Sequence, residues 1–310
     1  MSGPDNRTAW ADFWSARSEA SAPAGVPEAL SEIEEAQCAV WKAYALELPR
    51  AARVLDLATG DGAVLKTMRE VRPDLRLTGV DSSPALPPPP RGIAVRAAVP
   101  MESLPFADGG IDAVASQFGY EYGDTGRIAL ELARVLAPGG RLRFIVHRSD
   151  GPIVAHNLPR RDALRWALAP GGYLAKARGL LAARRIAPIA TPPAFREAPR
   201  EVQRLFPNQS VGGEFLEEVF QTLEMGRGKP VEDSVEVLDS LEKKARNEIA
   251  RIDTLERSAC GDSRIEALCA ELRAAGLEVD APSTVQERSA AAPFAWLVSG
   301  SRLSGRGTSR

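Results

Sequence analysis

The hydrophobic pattern changes character three times between residues 53 and 71. Residues 54–57 are a short apolar and β-branched run, which is typical of a buried strand. Residues 58–62 are small and turn-forming, and residues 63–71 carry apolar side chains at helical spacing. Strand, glycine turn and helix are the first half of a nucleotide-binding βαβ unit. In such a unit the backbone N–H groups at the helix N-terminus approach a ligand.

Similar patterns predict further elements on both sides of this unit. A helix is predicted before it, over residues 28–48, and another over 124–137, stopped by Pro138 and two glycines. The four prolines at 87–90 cannot continue a helix, so the second and third strands are joined by an extended segment. The further strands are predicted over residues 75–80, 93–97, 111–115 and 141–146, with the third at an edge.

From residue 151 to about residue 262 the chain shows helical spacing and no strand pattern. Helices are predicted over residues 158–183 (broken at 170–172), 214–225, 231–258 and 263–275. Apolar runs at 277–279 and 294–299 predict the last two strands. The fold class is therefore α/β: a doubly wound, Rossmann-like sheet of seven strands with a large helical insertion after the fifth.

Four segments follow from this order. Residues 1–50 form an N-terminal helical lid and the first helix, with Trp10, Phe13 and Trp14 either covering a ligand or packing on the core. The other three are the α/β core at 51–150, a helical cap at 151–262, and the last helix and β-hairpin at 263–310, which complete the core sheet.

Composition excludes several classes of function. The 310 residues are 44% hydrophobic and 26% charged with a net charge of −2, so no global field indicates nucleic acid. Two histidines are too few for a metal site, and Cys38, Cys260 and Cys269 show neither metal nor disulfide spacing. We expect reduced cysteines in a cytoplasmic protein, because no apolar leader or membrane-length segment is present.

Two acidic residues in the first βαβ unit suggest ligand contacts. Asp56 lies inside the predicted strand, where a buried carboxylate needs a cationic or N–H partner. Asp81 ends the second strand, placed to accept hydrogen bonds from ribose hydroxyls, although it could instead cap a helix. The dinucleotide fingerprint would fall on Ala58, Gly60 and Ala63, which is a poor match.

Several landmarks between residues 53 and 146 carry a family resemblance. The turn Asp56-x-Ala58-x-Gly60-Asp61-Gly62, the run 101–106 ending in Leu-Pro-Phe, Asp112, and the segment 132–142 occur in order. Together they resemble class I S-adenosylmethionine (SAM) dependent methyltransferases of the small-molecule type. The family usually has glycine where this chain has Ala58, and an adenine-contacting acid where it has Pro100.

The resemblance implies SAM as cofactor and no metal. It implies that Asp56, Ala58 and Gly60 surround the methionine part, and that Asp81 holds the ribose. Met101 and Glu102 line the adenine, and Gln117 and Phe118 border the reacting centre. Thr59 and Ser82 are assigned to the same cofactor site.

A general base helps when a methyl acceptor must lose a proton. His147, directly after the fifth strand, is the first candidate, followed by Glu121 and Tyr120. The alternatives are a NAD(P)-dependent Rossmann oxidoreductase and a catalytically inactive SAM-binding partner subunit. The atom that is methylated stays open, as does the choice among these bases.

The insertion is interpreted as a cap that recognises a small-molecule acceptor, or as an extension used for packing or a homodimer. Residues 141–186 hold ten Arg or Lys and two Asp, a net charge of +8. This stretch is expected to contact an anionic substrate or membrane surface, or to pair with the acidic helix at 231–258. Pairing is slightly favoured.

Overall fold

The computed structural model describes Trp10 and residues 28–207, 209–288 and 292–304. Within these ranges the strands are β1 (Arg53–Leu57), β2 (Arg76–Val80), β3 (Ala94–Arg96), β4 (Ile111–Gln117), β5 (Leu136–His147), β6 (Leu277–Val279), β7 (Ser283–Val285) and β8 (Ala295–Arg302). The helices are α1 (Glu28–Glu47), α2 (Ala63–Val71), α3 (Thr125–Val135), α4 (Pro152–Ala167), α5 (Tyr173–Arg184), α6 (Pro193–Leu205), α7 (Val211–Met225), α8 (Val231–Ser258) and α9 (Asp262–Ala274), and a 3₁₀ turn covers Tyr120–Tyr122.

The sheet has the strand order β3-β2-β1-β4-β5-β8-β6, and β7 pairs with β8. The first five strands of this order are parallel, whereas β8 runs antiparallel to β5, β6 and β7. The predicted doubly wound α/β fold is therefore confirmed, with an eighth strand. The additional β7 has the sequence Ser-Thr-Val, which offers no apolar run to identify it.

Alternate residues of β1 pack on opposite faces of the sheet. Leu55 and Leu57 belong to a buried cluster with α3 and α9, while Val54 belongs to a second cluster with α1 and α2. Burial on both faces explains why this strand reads as a continuous apolar run, and why an acid within it is conspicuous.

Several predicted bounds are confirmed and others are wrong. The predictions for α2, α8 and β6 are confirmed to the residue. Helix α3 ends at Val135 and strand β5 begins at Leu136, so the predicted helix end at about residue 137 is two residues late. Strand β4 continues to Gln117, two residues into the predicted loop. Helix α6 was not predicted. Its Pro193 occupies the first helical position, which tolerates proline.

The chain order reverses in the sheet between β1 and β4, since β2 and β3 lie on one side of β1 and β4 and β5 on the other. Ligands of open α/β sheets bind at such a switch point, beyond the carboxyl ends of the strands. No helix is present between β2 and β3. Pro90 of the extended segment lies against the glycine turn. A Cβ added to Gly62 would lie 3.2 Å from the Cδ of Pro90.

The chain divides into two compact units: the described residues of Met1–Val154 and Arg257–Arg310 form one, and Ala155–Glu256 form the other. The second unit, called the helical unit below, has its own apolar core, in which Leu164, Val219 and Leu238 are buried. None of the described helices is both long and apolar enough to cross a membrane.

Basic side chains of the helical unit pair with acids of α8. Arg161 contacts Asp253 and Glu256, and Arg165 donates to both oxygens of Asp253 at 2.7 and 2.8 Å. The other pairs are Arg160–Glu248, Arg178–Asp239, Arg178–Glu242 and Arg185–Glu232. The pairing interpretation of the basic stretch is therefore confirmed for these arginines, whereas an anionic substrate or membrane contact stays a prediction.

The ion pairs differ in burial, which predicts that they contribute unequally to the stability of the helical unit. The side chain of Arg161 is 10% exposed, whereas those of Arg185 and Glu232 are 57% and 66% exposed. Arg161→Met is expected to destabilise the helical unit by about 1.5–3 kcal/mol, the scale for hydrogen bonds to charged groups. Arg185→Met, the matched control, is expected to cost less than about 1 kcal/mol. Hydrogen exchange of the α4 and α8 amides measures the loss of stability in each variant. Equal losses in the two variants would contradict the pairing argument.

Candidate functional site

The turn after β1 adopts a conformation that favours glycine. Ala58, Gly60 and Gly62 have φ of 53°, 52° and 76°. The N–H of Thr59 donates to the carbonyl of Val80 at 3.0 Å, which ties the turn to the end of β2. Ala58 therefore occupies a left-handed position at a cost of about 1–2 kcal/mol, where the resembled family has glycine.

Asp56 is a buried acid with half of its carboxyl group unpartnered. It is 1% exposed, and the hydroxyl of Thr59 donates to its Oδ2 at 2.7 Å. Its Oδ1 is buried without a hydrogen-bond partner. Burial raises the pKa of Asp56 from 3.8 to about 8, against the opposing effect of the Thr59 hydrogen bond. A cationic group or an N–H donor at Oδ1 would stabilise the ionised form.

Asp81 joins the tip of β2 to the glycine turn. Its Oδ2 accepts from the N–H of Gly60 at 3.0 Å and its Oδ1 from the N–H of Ser83 at 2.8 Å. No helix starts after Asp81, so the capping interpretation is wrong. Burial raises the pKa of Asp81, and these two N–H donors oppose the shift. The sequence interpretation missed Ser83, whose position two residues after an aspartate was the available signal; Ser82 is exposed.

The two residues predicted to line the adenine are in different environments. Met101 is buried in the core cluster beside α3. The Oε1 of Glu102 accepts from the N–H of Asp124 at 3.0 Å, and so fixes the approach to α3. Glu102 therefore has a clear structural contact, and its role toward a cofactor stays a prediction.

Gln117 and Phe118, at the end of β4, contact different side chains. The Oε1 of Gln117 accepts from Trp41 Nε1 at 2.6 Å, and its Nε2 donates to Gln37 at 3.2 Å, so its side chain binds α1. Phe118 has a φ of 54° and stacks on the ring of His147, with 3.9 Å between centroids and 24° between planes.

His147 and Glu121 come together at the ends of β5 and β4. The Oε1 of Glu121 lies 2.9 Å from His147 Nδ1 and accepts from the His147 N–H at 3.1 Å. The side chains are 9% and 0% exposed, and the Oε2 of Glu121 is buried without a partner. The carbonyl of His147 accepts from the N–H of Cys260 at 2.8 Å. The structure thus combines two of the three predicted bases into one pair.

Tyr120, the third candidate, is packed as a core residue. It is fully buried, and its ring stacks on Phe144 with 4.6 Å between centroids. Its hydroxyl donates to the carbonyl of Thr125 at 2.9 Å, and burial raises its pKa. This environment favours a structural role for Tyr120.

Aromatic rings continue outward from His147. Tyr122 meets the imidazole edge to face at 6.0 Å, and Trp10 meets Tyr122 in the same way at 5.9 Å. The predicted lid residue Trp10 therefore reaches the neighbourhood of the histidine, while Phe13 and Trp14 lie outside the described residues.

Comparison with known proteins finds methyltransferases among the relatives of this chain. Residues 55–144 match the methyltransferase domain family. This part of the chain is a class I SAM-dependent methyltransferase domain. A demethylmenaquinone methyltransferase of Thermus thermophilus is 37% identical over 113 residues, which are 33% of this chain and 51% of the relative.

One further relative matches to a similar extent. The ubiquinone/menaquinone biosynthesis C-methyltransferase of Syntrophotalea carbinolica is 38% identical over 136 residues, 38% of this chain and 57% of that protein. The chain thus spans about half the length of these relatives. Among solved structures, a chain from the complex of the Haloferax volcanii Trm112 methyltransferase activator with a methyltransferase is 15% identical, at 97% and 100% coverage and a TM-score of 0.48.

The raised pKa of Asp56 in the methyltransferase domain predicts a pH-dependent stability. The folded protein holds this proton up to about pH 8, whereas the unfolded chain releases it near pH 3.8, so the free energy of unfolding falls as pH rises between these values. Asp56→Asn removes that titration, and we expect the variant to gain stability relative to wild type from about pH 5 to about pH 8. Thermal melts at both pH values measure the difference.

Asp108→Asn is the control, because the Asp108 side chain is 81% exposed. A constant stability difference between Asp56→Asn and wild type across this window would show that Asp56 is ionised throughout.

Proposed function

We propose that this protein is a SAM-dependent methyltransferase that acts on a small-molecule acceptor. The observation that carries the proposal is the buried Asp56, whose unpartnered Oδ1 lies beside a left-handed turn at the switch point of the sheet. A cationic ligand such as SAM fits this carboxylate better than a neutral one does.

The residues present fit SAM in three respects. Asp56 supplies a carboxylate for the cationic amino-acid part, and Asp81 supplies acceptor oxygens for ribose hydroxyls at the tip of β2. The N–H groups of the turn lie at the start of α2, where the helix dipole favours a carboxylate. When bound, SAM supplies a methyl group on a sulfonium for in-line displacement, and the site's task is alignment and exclusion of water.

For the acceptor, we propose a small molecule that must lose a proton, with His147 as the base. A buried imidazole in contact with a carboxylate suits proton removal from a hydroxyl. The relatives named for demethylmenaquinone support a small molecule whose reduced, quinol form carries such hydroxyls. The rings of Phe118 and Tyr122 beside His147 suit a flat acceptor.

The helical unit is proposed to recognise the acceptor, since it is inserted shortly after the strand that ends in His147. If this is right, its amides exchange more slowly with SAM plus an acceptor than with SAM alone. Equal protection in the two states would favour a packing or dimer role.

Cofactor binding gives the direct test. We expect the protein to bind SAM and S-adenosylhomocysteine in isothermal titration, and not NADH. Asp81→Ala is expected to weaken SAM binding by about 1.5–3 kcal/mol, the scale for hydrogen bonds to charged groups. Asp108→Ala is the control, because the Asp108 side chain is 81% exposed and pairs with Arg134, outside the turn after β1. NADH binding without SAM binding would instead support the oxidoreductase alternative.

Turnover tests the base. Incubation with SAM and a panel of hydroxylated quinols, naphthols and phenols is expected to give products one methyl group heavier, detected by mass spectrometry. His147→Gln is expected to lower turnover by about 10²–10⁴ without changing SAM affinity, the range for loss of a general base. SAM binding without turnover of any compound in the panel would favour the inactive-subunit alternative.

A further inference from the structure

We propose that Glu121 is a positioning residue: it holds His147 in the tautomer that carries its proton on Nδ1 and leaves Nε2 free to accept one. That Nε2 receives the acceptor's proton rests on the proposed function. The tautomer itself is a property of the protein alone, so the two ideas can fail separately.

The contacts of one oxygen atom define the tautomer. The Oε1 of Glu121 meets two nitrogens of His147, the backbone N–H at 3.1 Å and Nδ1 at 2.9 Å. The backbone nitrogen can only donate, so Oε1 already acts as an acceptor. An ionised carboxylate accepts from Nδ1 as well, which places the imidazole proton there and the ring lone pair on Nε2.

The carboxylate is held by the turn that bears it. The hydroxyl of Ser116 donates to the carbonyl of Leu57 at 3.1 Å and accepts from the N–H of Tyr120 at 3.0 Å. Tyr120 is anchored again through its hydroxyl bond to the carbonyl of Thr125. Glu121, next in sequence and 1% exposed, therefore has little freedom to turn away.

Contacts fix both the ring and the backbone of His147. Phe118 stacks on its face, and the backbone of His147 is bound at both its N–H, by Glu121, and its carbonyl, by Cys260. A ring flip would exchange the nitrogen that faces Glu121 for a carbon and lose the 2.9 Å contact. Only one ring orientation keeps all these contacts.

The contacts of Glu121 leave Oε1 as the atom that binds His147. The Oε2 of Glu121 is buried without a hydrogen-bond partner, whereas Oε1 faces both the backbone N–H and Nδ1 of His147. Burial raises the pKa of the adjacent Cys260 thiol to about 11, so this thiol does not compete with the imidazole as a proton acceptor.

Nitrogen-15 NMR of the histidine rings tests the assignment directly. The chain has two histidines, so His156→Gln leaves the ring signals of His147 alone. At a pH where the ring is neutral, we expect the pattern of a protonated Nδ1 and an unprotonated Nε2. The opposite pattern, or an equal mixture of tautomers, would overturn the proposal.

Two variants in that background separate positioning from folding. Glu121→Gln keeps an oxygen at this position and is expected to retain the Nδ1–H tautomer. Glu121→Ala removes the acceptor and is expected to move the population toward Nε2–H. An unchanged spectrum in Glu121→Ala would overturn the role of Glu121. If Glu121→Ala does not fold, Glu121→Leu, which also lacks an acceptor, replaces it, and the spectrum with Glu121 intact still decides the tautomer.

Titration with SAM distinguishes a failure of the proposed function from a failure of the positioning role of Glu121. Both variants are expected to bind SAM within about twofold of the parent, since Glu121 contacts the imidazole and not the turn after β1. If no form binds SAM but the parent shows the Nδ1–H tautomer, the proposed function fails and the positioning role stands.

Discussion

The contact between Ala58 and Gly119 joins the two loops on which the site depends. Ala58 belongs to the turn after β1, and Gly119 follows β4, the neighbouring strand across the switch point. A Cβ on residue 119 would lie 2.5 Å from the Ala58 Cβ, 2.9 Å from Ser116 Oγ and 3.2 Å from the Leu57 carbonyl oxygen. The methyl group that replaces the family's usual glycine at residue 58 therefore requires a glycine opposite. The turn after β1 and the loop after β4 are therefore in direct contact.

Backbone strain and buried carboxyl groups occur together at this junction. Ala58 and Phe118, one in each loop, both have positive φ, a conformation that costs about 1–3 kcal/mol at a non-glycine residue. Asp56 and Glu121 are each buried with one carboxyl oxygen unpartnered, and they were the two cases found among the described side chains. Apolar packing on both faces of the sheet offsets these costs. Such features persist in a fold when a ligand or a reaction uses them.

The fold was largely predictable because its signals are local. The bounds of α2 and α8 follow from apolar spacing within each helix, and the positions of Asp56 and Asp81 follow from strand ends. For the site, the sequence predicted which residue types take part but not which of them contact each other. Glu121 and His147 are 26 positions apart, and the hydrogen bond between them depends on the parallel pairing of β4 and β5. Tyr120 has the residue type of a base, but its environment depends on Phe144 and Thr125, which no local pattern reveals.

The base of the insertion lies next to the same histidine. Arg148, the residue after β5, forms a parallel bridge with Cys260, and the Ser149 N–H donates to the Cys260 carbonyl at 3.1 Å. Trp296 of β8 donates to that carbonyl at 2.8 Å and stacks under the Arg148 guanidinium at 4.1 Å.

The segments that lead into and out of the helical unit are therefore paired with each other and fixed to the sheet. Because the chain departs and returns at one place, a large helical segment can be inserted there without interrupting the strand order. His147 is the first residue of this junction. Its N–H donates to Glu121, and its carbonyl accepts from the N–H of Cys260. A displacement of the paired segments would alter the backbone that sets the imidazole's position. The insertion point and the proposed base thus belong to one hydrogen-bonded element of the sheet.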